Sequence, residues 1–131
     1  MSSPSKADPL HPKAREGILL FNQRKFYEAH EPLEEAWMLT PSPERDLYQG
    51  ILQVGLAYYQ ISRGNSRGAL KMFKRAHKTL SPLGDSLLGV DIAKLRMDAK
   101  NVEKDLREMG LEEIDLQDEG LINPIVLDQK P

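Results

Sequence analysis

The residue types that can do chemistry are densest between Phe21 and Trp37. Phe21-Asn22 is followed by Phe26-Tyr27-Glu28-Ala29-His30-Glu31-Pro32-Leu33-Glu34-Glu35-Ala36-Trp37. His30 and Glu34 are four residues apart, so on a helix they share one face. An imidazole and a carboxylate placed this way can hold a divalent metal ion. Glu31 follows the histidine directly. In the zinc-protease helix that is the place of the general base on metal-bound water, although here Glu34 stands where the second histidine would be. A metal centre needs at least one more ligand and an open position. Glu28, His11, His77 and Glu35 are the donors on offer, and no spacing selects among them.

The competing reading of the same residues is architectural. A histidine at the border of an apolar stripe can be a satisfied, semi-buried group. Glu34 or Glu31 could pair with Arg45, or accept a hydrogen bond from Gln49, and so tie two helices together. Arg45, Gln49 and Gln53 are themselves spaced four apart. Neutral amides and one arginine on a face that would otherwise carry Lys and Glu imply a semi-buried polar seam. Such a seam is either structural or lines a pocket together with Trp37. The indole of Trp37 falls on the apolar stripe, as do the rings of Phe26, Tyr58 and Phe73 on theirs, and these are core candidates; Tyr59 lies on the opposite flank.

The elements that must position these groups are helices. Pro12 suits a first helical position, and Ala14, Ile18, Leu19 and Phe21 follow at helical spacing, giving a helix over about residues 12–23. A second spans about 25–39, its stripe Phe26, Ala29, Leu33, Ala36 and Trp37 staying in phase across Pro32, which implies a bend and not a break. A third, about 43–63, is apolar nearly all round and belongs in the centre of the core. Gly64 and Asn65 supply a left-handed stop and a cap for a fourth over about 66–80. Asp91 caps a fifth over about 91–109, and Gly110 ends it. No segment alternates convincingly as a strand followed by a turn. The expectation is an all-α fold: two antiparallel helical hairpins plus a fifth helix. Residues 1–10 read as a loose arm, 11–110 as one domain and 111–131 as an extended, acidic tail or strap.

Composition narrows the function. The chain has 131 residues, 40% hydrophobic and 29% charged, which fits one globular domain. The absence of cysteine excludes thiol nucleophiles, zinc-thiolate sites and iron–sulfur clusters. Lys+Arg 18 against Asp+Glu 20 leaves a net charge of −2, no global field for nucleic acid. No apolar run approaches the roughly 18 residues of a membrane span, and the first residues have no apolar core of the signal-peptide kind. A cytoplasmic protein without a membrane partner is the expectation. The charges are nevertheless unevenly placed. No Asp or Glu lies between Leu47 and Gly84, while Arg63, Arg67, Lys71, Lys74, Arg75 and Lys78 do. That basic face, set against the acidic tail (Glu112, Glu113, Asp115), suits either an intramolecular contact or a homodimer. Without interleaved aromatics it is a poor nucleic-acid surface. Gly68-Ala69-Leu70, Phe73 and Ala76 also resemble the second helix of tetratricopeptide-type repeats, whose stacked hairpins present binding grooves.

Taken together, Phe21-Asn22, the Phe26-to-Trp37 string, Arg45, Gln49-Gly50-Ile51-Leu52-Gln53, Arg63-Gly64-Asn65 with Gly68-Ala69, and Arg75-Ala76 closing at Leu80 resemble one family. It is the uncharacterised family catalogued as domain of unknown function three hundred and nine, over roughly residues 16–80. The resemblance implies a small all-helical protein of unestablished function that some catalogues label a predicted metal-dependent hydrolase. Carried over, that label points to Glu28, His30, Glu31, Glu34 and Trp37, faced by Arg45, Gln49 and Gln53. In that scheme His30 and Glu34 hold a divalent ion, Glu28 is a candidate further ligand, Glu31 is the base and Arg45 stabilises developing negative charge. The alternative is a non-catalytic binding or scaffold module in which the same cluster is a structural polar network.

Overall fold

Pro12 opens α1 (Pro12–Asn22), preceded by His11, whose Nδ1 accepts a hydrogen bond from the Lys13 amide at 3.0 Å. The computed structural model describes residues 9–111 and 122–127. Arg24 takes the left-handed conformation (φ 64) that turns the chain into α2 (Phe26–Leu39). Pro32 lies buried inside α2, and the helix runs unbroken through it. α3 (Glu44–Ser62) is buried on most of its circumference, as its composition requires. Gly64 (φ 74) ends it, and the Asn65 side chain accepts from the Gly68 amide at 2.9 Å to start α4 (Ser66–Leu80). Asp91 does the same for α5 (Ile92–Met109) through the Lys94 amide at 3.0 Å.

The molecule is predominantly all-α, as expected. Each of the first four helices packs on the next in sequence, and α5 lies more sparsely against α4. Phe21, Phe26, Tyr58 and Phe73 form an edge-to-face aromatic cluster at the centre, with centroids 5.2–6.0 Å apart. Close approach of the helices depends on glycine at two points. A Cβ on Gly17 would stand 2.4 Å from Leu33 Cγ, and one on Gly50 would stand 2.2 Å from Leu80 Cδ2.

The structure departs from the helical expectation between α4 and α5. There β1 (Ser86–Leu87) and β2 (Val90–Asp91) form a small antiparallel hairpin. Leu88 (φ 53) and Gly89 (φ 80) are both left-handed, the geometry of a two-residue hairpin loop. Leucine at the first position hides a turn that Asn-Gly would announce. Residues 122–127 extend the arrangement. Val90 bridges Leu127, and the Asp91 amide donates to the Val126 carbonyl at 3.0 Å. Asn22 clamps this strap from α1: its Nδ2 donates to the Ile125 carbonyl and its Oδ1 accepts from the Ile125 amide. Arg24 donates to the Ile122 carbonyl, and Ile122 and Ile125 are buried. Leu10 is also buried, so packing begins before α1. The rest of the expected arm and of the acidic tail lies outside the described residues.

Candidate functional site

α2 places His30 and Glu34 on one face, with the imidazole Nε2 and a carboxylate oxygen 3.8 Å apart. That exceeds hydrogen-bond reach, and the side chains are 33% and 50% exposed. Beside His30 the ring of Tyr27, itself exposed, lies 4.9 Å from that of Tyr59 on α3. Arg63 caps this stack, its guanidinium 5.9 Å above the Tyr59 ring. Glu28, His30 and Glu31 share a depression of about 330 Å³ with Glu16, Leu20, Tyr27 and Pro32.

The other donors are engaged elsewhere. His11 caps α1, His77 sits on α4 against Glu103, and Glu35 lies 3.9 Å from Lys13. Among the described residues no three His, Asp or Glu side chains converge as a metal site would require. Among the described residues the donor set therefore does not fit the metal that the family label implies.

Arg45 forms an ion pair with neither Glu31 nor Glu34 among the described residues. Its guanidinium lies over the half-buried Trp37 ring, 4.7 Å from the centroid, and its Nε is buried without a hydrogen-bond partner among the described residues. Gln53 is buried, its Oε1 without a hydrogen-bond partner among the described residues, and Gln49 is half-buried. The junction of α2 and α3 is thus joined here by a cation stacked on an indole. Further in, the Tyr58 hydroxyl is buried without a hydrogen-bond partner among the described residues. Its loss of water, and secondarily the negative charge of Asp98, push the phenol's pKa well above its ordinary value. Asp98 is itself buried and held by Lys94 Nζ at 2.8 Å and Asn123 Nδ2 at 3.3 Å.

A groove of about 610 Å³ between α4 and α5 was not singled out by any short motif. Leu70 lies in it, with Arg67, Lys71, Lys74 and His77 on the α4 wall and Glu103 and Arg107 on the α5 wall. His77 Nε2 is 2.9 Å from Glu103 Oε1, and Arg107 donates to Glu103 Oε2 at 3.1 Å. The other ring nitrogen of His77 is buried without a partner among the described residues, and the ring stacks on Phe73. Nε2 is thus committed to Glu103, and Nδ1 presents no exposed surface. The sequence signal for this surface was the long stretch free of Asp and Glu, which marked the α4 wall but not the α5 wall opposite it.

A family model described as a domain of unknown function (DUF309) matches residues 14–72. An uncharacterized protein of Aquifex aeolicus (strain VF5) is 28% identical over 83 residues. That is 63% of this chain and 25% of the relative, so the match spans a quarter of the relative's length. The family segment covers α1 to α3 and the first half of α4, leaving His77 and all of α5 outside it. No helix among the described residues is long and apolar enough to cross a membrane.

Proposed function

The chain belongs to the DUF309 family through residues 14–72, and from that premise we propose that it is a non-catalytic helical module that docks a protein partner. The observation that carries this reading is the α4–α5 groove, an apolar floor edged by cations. The helix cluster that suggests chemistry supports it from the other side. His30 and Glu34 are a partly exposed surface pair, and Arg45 is stacked on Trp37 where a hydrolase would need it beside the reacting group.

The discriminating experiment is metal content by elemental mass spectrometry on untagged protein, with a His30→Ala control. The expected result is no stoichiometric transition metal in either protein, with Glu31→Gln indistinguishable from wild type in esterase and phosphatase screens. A near-stoichiometric metal that disappears in His30→Ala would overturn the reading and restore the hydrolase.

A further inference from the structure

Resting on that reading, we propose the chemistry of the partner: an acidic, amphipathic helical segment of another protein, seated in the groove between α4 and α5. Arg67, Lys71 and Lys74 rise along one flank of α4 at spacings of four and three, a ladder one helix wide. Among the described residues none of the three forms an ion pair. The single carboxylate of the lining, Glu103, is already held by His77 and Arg107. The groove thus presents positive charge that nothing within the described residues answers. Its floor is apolar, provided by Leu70, which packs on the core, and by the aliphatic stems of the cations. A volume of about 610 Å³ is in the range that accepts several side chains at once.

Carboxylates at helical spacing would meet the ladder, and leucine-like side chains between them would fill the floor. A nucleic acid would match the cations only. The lining has no Phe, Tyr or Trp on which a base could stack, and the apolar floor would be left uncovered. A small substrate would find His77 Nε2 already held by Glu103 and Nδ1 buried.

The test is titration of the full chain into a fluorescent, end-blocked peptide of about 16 residues that carries Leu and Glu at alternating helical turns. Saturable binding is expected. It should weaken about tenfold in the Lys71→Glu/Lys74→Glu double variant, and weaken as salt is added. Leu70→Gln should weaken it through the floor, while Lys78→Glu, outside the lining, should leave it within about twofold. Circular dichroism of each variant separates lost binding from lost folding.

Absence of saturable binding would overturn the proposal, as would binding indifferent to the double reversal. Tighter binding of a single-stranded oligonucleotide would overturn it in favour of nucleic acid. Binding that appears only after Glu112, Glu113, Asp115, Asp118 and Glu119 are changed to their amides would overturn it in favour of an intramolecular occupant. If the peptide fails while the protein remains metal-free, the acidic partner is wrong and the interaction-module reading survives. A stoichiometric metal at His30 would remove that reading itself.

Discussion

The Tyr58 ring packs among Phe21, Phe26 and Phe73, and its buried hydroxyl meets no acceptor among the described residues, an arrangement that costs the folded state. Tyr58→Phe removes only that hydroxyl, so the variant should unfold at an equal or higher temperature at neutral pH, a gain of up to about 1–3 kcal/mol. The pH dependence has a definite sign. Burial first, and Asp98 second, raise the phenol's pKa in the folded protein. Below about pH 10 both folded and unfolded chains keep the proton, and nothing is lost. As pH rises past that value the unfolded chain ionises while the folded one does not, so stability falls. Thermal melts of wild type and Tyr58→Phe between pH 7 and 11 should show a steeper alkaline decline for wild type. A clear drop in melting temperature for Tyr58→Phe at pH 7 would mean that the hydroxyl has a partner, such as a buried water.

At the scale of elements, α1 fastens the strap of residues 122–127 through one side chain, beside the contacts that Arg24, Asp98 and β2 make with it. Asn22 satisfies both the amide and the carbonyl of Ile125, at 2.8 and 3.2 Å, and so pins a segment about a hundred residues away in sequence. Asn22→Ala should cost about 1–3 kcal/mol in urea unfolding. It should also accelerate hydrogen exchange at the Ile125 amide, which loses its acceptor. Unchanged exchange at Ile125 would show that Arg24, Asp98 and β2 hold the strap without Asn22. In the sequence Asn22 stands in a motif that looks chemical, and its role here is to fasten one element to another. Gly50 has a similar role, because α3 and α4 approach so closely that its missing Cβ makes room for Leu80.

At the scale of the whole molecule the question is whether α5 folds with the rest. It lies outside the family segment and packs more sparsely than its neighbours. Its inner face, Leu95, Ala99, Val102 and Leu106, nevertheless joins the same core as α3 and α4. A single cooperative transition is expected. Trp37, the one tryptophan, reports on the α2–α3 junction, whereas circular dichroism reports on every helix. Urea curves from the two probes should coincide. An earlier transition in circular dichroism would show that α5 is a separate unit.

What the sequence alone determined is local in origin. Helix positions follow from apolar spacing, and their ends from Asn65, Asp91, Gly64 and Gly110, because these signals act within one turn of the chain. The family was legible for the same reason: its pattern is a run of nearby residues. The tertiary structure decided which distant groups meet. It gave His11 to a helix cap and His77 to Glu103, laid Arg45 on Trp37, and left His30 and Glu34 partly exposed without a converging third donor among the described residues. It also set the α4 ladder opposite Arg107 to make the groove. Helical spacing states which residues share a face, but not which face of another helix that face will meet. That is decided by how side chains and glycines interlock across the core.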